Sequence, residues 1–181
     1  MKLKTLSLLV ASLVFAGTAG AEYYAGAGYG ISWNGGHAWT NGVKYDYETF
    51  SNLWSLFGGA VIPTEYLDLR AEGEFVHLKA EPDVGKSRKL DAVMANLIGV
   101  IPNVDWPVQP YVGLGLGYGR FDHKNMVVQQ LIAGVEYTLD EYPVGFALEY
   151  KHIRPNETGG HGNNRSKINS DAIMLKAKYS F

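Results

Sequence analysis

Residues 66–76 read Tyr-Leu-Asp-Leu-Arg-Ala-Glu-Gly-Glu-Phe-Val, and this stretch decides the fold class. Apolar or small side chains take every second position from 67 to 75. The positions between them hold Asp68, Arg70, Glu72 and Glu74. A repeat of two residues is typical of a β-strand with one apolar and one polar face, whereas an amphipathic helix repeats about every 3.6 residues. The stretch is therefore predicted to be a strand.

The same alternation recurs along the chain in segments of about ten residues, with turn-forming residues between them. The predicted strands are residues 23–33, 52–62, 66–76, 90–101, 110–121, 129–139, 144–150 and 172–181. Segments 52–62 and 90–101 are apolar on both faces, so the alternation does not indicate which face points inward. The sequence predicts an all-β fold, an eight-stranded antiparallel transmembrane up-and-down β-barrel with apolar residues toward lipid and polar or small residues toward the lumen.

Glycines and connections fit this architecture. Glycine alternates with larger residues at 26–30 and 113–119, and small inward residues let a narrow barrel close over bulky neighbours. Short turns are predicted at 63–65, 102–109 and 140–143, and longer outer loops at 34–51, 78–89 and 154–170. Short periplasmic turns and longer outer loops are typical of outer-membrane barrels.

The N-terminus resembles an export signal. Lys2 and Lys4 precede an apolar stretch at 6–17, and Ala19-Gly20-Ala21 has the small-residue pattern of a cleavage site. We predict that residues 1–21 are a cleaved signal peptide and that 22–181 form one outer-membrane β-barrel domain. The chain has 16 basic and 18 acidic residues and no cysteine, which argues against nucleic-acid binding and against thiol or disulfide chemistry. No cofactor and no metal site are expected.

Several motifs resemble the opacity-protein and porin-like outer-membrane β-barrel superfamily, which includes small eight-stranded OmpA-like barrels. They are the export signal, the glycine-rich strand at 24–30, Asn96 before the Pro102 turn, the run 110–118 and Gly134-Val135-Glu136-Tyr137. The final Tyr179-Ser180-Phe181 is similar to the C-terminal signal that the barrel-assembly machinery recognises. The resemblance implies outer-membrane localisation, but it does not identify an activity because the superfamily hosts adhesins, resistance proteins, structural barrels and enzymes.

Charged residues are predicted to line the lumen. The phase of the strands turns inward the acids Asp68, Glu72, Glu74, Glu136 and Glu149 and the bases Arg70, Lys151, Lys176 and Lys178. Charges in a narrow lumen must pair or remain hydrated. We expect a salt-bridge network that plugs the barrel, because eight strands leave an interior that side chains just fill. A narrow channel for ions or small solutes, gated by rearrangement of these pairs, is an alternative.

An enzyme is the second alternative. The region 149–156 resembles the lipid A deacylase barrels, in which a histidine is followed two residues later by a serine nucleophile and then by an asparagine. His152 matches the histidine, but Arg154 stands in the serine position and Pro155 precedes Asn156. Arginine cannot supply the hydroxyl nucleophile that acyl transfer requires. Ser166 and Ser170, in the loop predicted to follow, are the remaining nucleophile candidates.

The predicted outer loops carry the remaining candidate contacts. Aromatic and basic residues there could bind lipopolysaccharide or a host or neighbouring surface protein. These residues are Trp39, Tyr45, Tyr47, Arg154, His161, Arg165 and Lys167. The leading hypothesis is a non-enzymatic envelope barrel with a plugged lumen and surface loops that serve adhesion or recognition.

Overall fold

The computed structural model describes residues 21–40, 43–64, 66–80, 88–101, 106–121, 124–139, 141–156 and 166–181. They form eight strands, which are listed here in chain order. The strands are β1 (Glu22–Thr40), β2 (Val43–Ile62), β3 (Asp68–Ala80), β4 (Arg88–Val100), β5 (Gln109–Phe121), β6 (Lys124–Thr138), β7 (Val144–Asn156) and β8 (Ser166–Ser180). No helix in the described ranges is long and apolar enough to cross a membrane. The predicted signal peptide lies outside the described residues.

Each strand pairs antiparallel with its neighbours in sequence, and β8 pairs with β1 to close the barrel. At the closure Phe181 donates its backbone N–H to the Tyr23 carbonyl at 2.8 Å, and Tyr23 donates to the Phe181 carbonyl at 3.4 Å. The predicted all-β, eight-stranded antiparallel barrel is confirmed. We call the end that carries both chain termini the terminal end and the opposite end the hairpin end.

The predicted loop at 34–51 is wrong. β1 and β2 stay paired from Glu22↔Val61 through Asn34↔Thr49 to Thr40↔Val43, so two residues, 41–42, connect them. Residues 44–48 alternate polar and aromatic types themselves, and a strand can continue wherever a paired neighbour accompanies it. A membrane-spanning strand needs only about 9–11 residues, so this hairpin is longer than a span requires. The loops predicted at 78–89 and 154–170 are likewise shortened, because β4 begins at Arg88 and β8 at Ser166.

The wall alternates as the period of two requires. Leu114, Leu131 and Leu175 are among the large apolar residues exposed on the outside. Two inward-facing apolar clusters fill parts of the lumen. The larger lies toward the hairpin end and comprises Leu53, Val76, Leu78, Leu90, Ala92, Met94, Met126, Val128, Ile153, Ala172 and Met174. The smaller lies toward the terminal end and comprises Ile98, Val100, Tyr111, Ile132 and Ala147. The inward face of segment 90–101 supplies five residues of these clusters, and that of segment 52–62 supplies Leu53. The opposite face of each segment meets lipid, so both faces are largely apolar.

Candidate functional site

Three charged side chains meet near the terminal end of the lumen. Arg70 donates from both terminal nitrogens to Glu136, Nη1 to Oε2 at 2.7 Å and Nη2 to Oε1 at 2.9 Å. Lys178 Nζ lies 2.7 Å from Glu136 Oε1. We call Arg70, Glu136 and Lys178 the mouth triad. A two-pronged arginine–carboxylate contact fixes orientation as well as charge, so strands β3, β6 and β8 are joined here through their side chains.

A second group of charges lies deeper in the barrel. Lys151 pairs with Glu74 and lies 3.3 Å from Glu149 Oε1, and all three side chains are fully buried. Lys176 Nζ lies 3.4 Å from Glu72 Oε1 and 3.3 Å from Glu149 Oε2. We call these five residues the central layer. The central layer contains three carboxylates and two ammonium groups. Together with the mouth triad it gives four acids and four bases inside the barrel.

Neutral side chains add hydrogen bonds to the carboxylates of the central layer. Asn96 donates to Glu72 at 3.1 Å and to Glu74 at 3.0 Å. Gln130 donates to Glu74 at 3.1 Å and to the Asn96 side-chain oxygen at 2.7 Å. A buried carboxylate with several donors costs far less than an isolated one. Gln130 carries no charge, so the pattern of charged residues does not indicate its place in this network, although its inward phase in β6 does.

Two tyrosines and one glycine finish this arrangement. Tyr24 donates its hydroxyl to Glu72 at 3.2 Å, and Tyr111 donates to Glu149 at 2.9 Å. Gly115 is the cross-strand partner of Asn96 in the β4–β5 pair, and a Cβ at Gly115 would lie 2.3 Å from the Asn96 side-chain oxygen. Glycine at this position is therefore required by the close approach of the amide network. This agrees with the inward placement of the β5 glycines inferred from the alternation.

The predicted lumen residues do not all join these clusters. Asp68 is half-buried at the start of β3, and no ion pair with it occurs among the described side chains. The other eight predicted lumen charges are brought together in the mouth triad and the central layer. The lumen also contains the apolar cluster at the hairpin end, which the charge pattern alone did not indicate. An ionic section and an apolar section thus occupy successive levels of the barrel.

A cavity remains at the terminal end. It measures ≈ 300 Å³ when the solvent that opens onto it is included. Its lining combines charged, aromatic and small residues: Tyr24, Phe57, Arg70, Glu72, Ile98, Tyr111, Glu136, Gly145, Ala147, Glu149, Lys176 and Lys178. The cavity therefore lies between the mouth triad and the central layer.

The outer wall carries a histidine–carboxylate pair near the hairpin end. His152 and Asp171 are cross-strand partners on β7 and β8, with His152 Nδ1 at 2.8 Å from Asp171 Oδ1. Tyr150, on the same face, donates its hydroxyl to Asp171 Oδ1 at 2.5 Å. A similar pair, His77 and Asp91, has its Nδ1 to Oδ1 distance at 2.6 Å. Both imidazoles are thus held by carboxylates outside the lumen.

The nucleophile candidates are not gathered around His152. Ser170 lies in β8, not in a loop as predicted, and its side chain is 3 % exposed and turned into the lumen. Because His152 and Asp171 point outward, Ser170 is separated from them by the barrel wall. Ser166 also lies in β8, but its side chain is outside the described part. Arg154 is exposed and shares the outward face of His152.

The other predicted surface contacts lie on the projecting strands or beyond the described residues. Trp39 is in β1, Tyr45 and Tyr47 are in β2, and Lys167 is in β8. Their backbones are strand, and their side chains are outside the description. His161 and Arg165 are outside the described residues. The C-terminal Tyr179 and Phe181 point away from the lumen, and both are more than half exposed.

A closed eight-stranded barrel with an apolar outer wall and a charged lumen defines the class of outer-membrane barrels. A model of the outer membrane protein beta-barrel domain family matches residues 5–181. The chain belongs to this family and is an outer-membrane protein.

Two solved structures show the same fold. Neisserial surface protein A (NspA) is 17% identical with a TM-score of 0.61, and the alignment covers 90% of this chain and 99% of that one. The outer membrane enzyme PagL is 12% identical with a TM-score of 0.54, covering 81% of this chain and 97% of that one. At these identities the similarity concerns the fold alone. No curated protein matches the chain significantly in sequence.

Proposed function

We propose that the protein is a non-enzymatic outer-membrane barrel with a plugged lumen that supports envelope integrity and displays a surface for adhesion or recognition. The observation that carries the proposal is the filling of the lumen at two successive levels. The central layer places paired charges at one level of the lumen, and the buried apolar cluster around Leu53, Met94 and Met174 occupies the next level. Because eight strands leave an interior just wide enough for side chains, these levels leave little room for a solute path.

Planar-bilayer recording tests the plugged lumen. We expect the purified protein to insert without a steady large conductance, since ions would have to cross a section lined by buried apolar side chains. Removing one outward lysine, Lys89→Met, should leave the recording unchanged and serves as the matched control. A steady large conductance in the wild-type protein would refute the plug and favour the small-solute or ion channel.

The long β1–β2 hairpin supports surface recognition. Its paired register runs to Thr40↔Val43, and β8 accompanies β1 as far as Ala38↔Ser166, so three strands continue together toward the hairpin end. The sequence of this extension includes Trp39, Tyr45 and Tyr47, and aromatic residues are frequent hot spots of protein interfaces. The proposed partners are lipopolysaccharide of the outer leaflet and a host or neighbouring surface protein.

A hairpin exchange tests this surface. Replacing residues 34–51 with a two-residue turn should abolish surface binding while the barrel still shows its heat-modifiable migration on gels. Replacing the Pro143 turn at the terminal end with a turn of equal length is the control, because that end lies away from the proposed surface. Binding that survives the hairpin exchange would count against adhesion through this element.

The hydrolase remains a second candidate because His152 is oriented by Asp171 on the outer wall. An imidazole held by a carboxylate is the general-base half of an acyl-transfer site. Against it, Ser170 faces the lumen and Arg154 stands where the deacylase barrels have serine. Mass spectrometry of lipid A from cells with and without the protein distinguishes the hydrolase from the non-enzymatic barrel. A lost acyl chain that depends on His152 would establish the enzyme.

A further inference from the structure

The outward-facing cations of the barrel are gathered at one end. Among the residues whose side chains are described, the lysines and arginines on the outer face are Lys79, Lys89, Arg120 and Arg154. All of them lie in the half of their strand that is nearer the hairpin end. At the terminal end the exposed charged residues of the described ranges are acids, Glu22 and Glu141. The outer surface of the barrel is therefore electrostatically asymmetric along its axis.

Three of these cations occupy neighbouring positions on β3, β4 and β5. Lys79 and Lys89 are direct cross-strand partners. Arg120 is the partner of Asp91, so it lies diagonal to Lys89, which is two residues from Asp91 on the same face of β4. Directly opposite side chains have Cβ atoms about 4.5–5.5 Å apart, and diagonal ones about 7–8 Å. We call Lys79, Lys89 and Arg120 the wall cations.

The acids near the wall cations do not balance their charge. Asp91 lies within the group, and it already holds His77, with Nδ1 at 2.6 Å from Oδ1. In the sequence, residues 77–91 contain four bases and three acids, and residues 120–125 contain two bases and one acid, so each segment has a net charge of +1 with histidine neutral. Like charges directly opposite each other destabilise a strand pair. An added anion would therefore lower the repulsion between the two wall lysines.

The outer face next to the wall cations, on the side of the terminal end, is aromatic and apolar. Phe75, Val93 and Tyr118 form one cross-strand row on the same three strands. Trp54 lies beside this row, with its ring centroid 5.5 Å from that of Phe75. The apolar outer band of such a barrel is covered by lipid chains. A ligand that fits both parts of this surface has an anionic headgroup joined to acyl chains.

We propose that the wall cations bind a phosphate group of lipopolysaccharide, whose acyl chains lie against the row of Phe75, Val93 and Tyr118. The phosphate accepts hydrogen bonds from the two lysine ammonium groups and from the arginine guanidinium, which suit phosphate oxygens. The hairpin end faces the outer leaflet, because the longer projections of these barrels are extracellular and β1 and β2 stay paired there as far as Thr40↔Val43. This inference deepens the lipopolysaccharide contact of the proposed function and rests on it, but it assigns that contact to the barrel wall.

Equilibrium binding of ³²P-labelled lipid A tests the site. The barrel is extracted in dodecyl maltoside and held on a resin by an N-terminal tag, and lipid A with two phosphate groups is titrated. Phosphatidylethanolamine, which has acyl chains but no net charge, is one competitor. Sodium phosphate, which has no acyl chains, is the other, with sodium chloride at matched ionic strength as its reference. We expect saturable binding of lipid A that an excess of either competitor leaves largely in place.

Substitutions of the wall cations separate the site from general surface charge. Lys79→Met/Lys89→Met should weaken binding about twentyfold, since each basic residue near an anionic lipid contributes roughly fivefold. Lys79→Arg/Lys89→Arg should retain binding. Arg154→Met is the matched control, because it removes a cation at the same end from β7, where the cross-strand partner is the neutral Gln129. It should weaken binding less than about twofold, since an isolated exposed charge contributes little.

Three results overturn the proposal. Lipid A could bind without saturation, sodium phosphate could displace it where sodium chloride does not, or Arg154→Met could weaken binding as much as the double lysine variant. If the double variant fails to fold, Arg120→Met takes its place, with an expected loss of about fivefold.

The hairpin exchange distinguishes this proposal from the proposed function. A barrel in which a two-residue turn replaces residues 34–51 should still bind lipid A, because the wall cations lie outside the exchanged segment. Loss of lipid A binding in that variant alone would place the contact on the hairpin, which refutes the wall site and leaves the proposed function standing. A wild-type barrel that does not bind lipid A refutes both lipopolysaccharide contacts, whereas the plugged lumen is decided by the conductance recording.

Discussion

Removal of the Lys151 charge should destabilise the barrel strongly. The side chains of Lys151, Glu74 and Glu149 are fully buried, and Lys151 contacts both carboxylates. The Lys151→Met variant keeps much of the side-chain volume but leaves the central layer with three carboxylates and one ammonium group. Breaking a buried ion pair by removing one partner typically costs about 3–5 kcal/mol. We expect a loss of that order in the free energy of unfolding.

A second substitution distinguishes charge from packing. In the double variant Lys151→Met/Glu74→Gln one uncompensated carboxylate is removed, and the amide can still accept from Asn96 and Gln130. Replacing both members of a buried pair is often close to neutral, so the double variant should recover a large part of the loss, with a coupling of about 2 kcal/mol or more. Lys89→Met, an exposed lysine on the outer wall, should change stability by no more than about 0.5 kcal/mol.

The differences in free energy of unfolding are measured by equilibrium unfolding in urea. Unfolding is followed by tryptophan fluorescence in lipid vesicles and by heat-modifiable migration on gels. The reasoning is refuted if Lys151→Met costs less than about 1 kcal/mol, well below the range for a broken buried pair. Glu74→Gln alone is measured in the same way. The reasoning is refuted equally if the losses of Lys151→Met and Glu74→Gln add in the double variant, because additivity means that the two residues are not coupled.

Three further predictions concern the lumen and the closure of the barrel. Gly115→Ala should cost about 1–3 kcal/mol in the same unfolding assay, because a Cβ would lie 2.3 Å from the Asn96 side-chain oxygen. Leu114→Ala, on the lipid face, is the control and should not disturb the amide network. Equal losses of unfolding free energy in the two variants would contradict the argument from close approach. Tyr111→Phe should cost about 1–3 kcal/mol by leaving Glu149 short of one donor, and an unchanged unfolding midpoint would argue against that hydrogen bond. Deleting Phe181 removes its two backbone hydrogen bonds with Tyr23, so the yield of folded barrel in cells should fall; an unchanged yield would argue against a role of the C-terminus in assembly.

The strand pattern could be predicted from the sequence because it depends on local geometry. Successive side chains of a strand point to opposite faces whatever the partner strand is. The inward phase of Glu72, Glu136 and Lys176 could therefore be inferred from their own segments. Where both faces are apolar, as at 52–62 and 90–101, the alternation does not indicate which face points inward. The apolar level of the lumen therefore could not be predicted from it.

Side-chain contacts around the lumen could not be predicted from single segments. Arg70 meets Glu136 and Lys176 meets Glu72 across large separations in sequence, 66 and 104 residues. Such meetings depend on the stagger of every intervening strand pair, which accumulates around a closed barrel. The outward His152–Asp171 pair was not foreseen for a related reason, since it depends on the register of β7 with β8.

The sequence by itself determined that this chain forms an eight-stranded outer-membrane barrel, and it determined which of its charges face inward, because both follow from a repeat of two residues. Only the tertiary structure decided which acid meets which base, how far the β1–β2 hairpin extends, and that Ser170 and His152 lie on opposite sides of the wall. These features depend on strand register and closure, and no single segment of the chain contains that information.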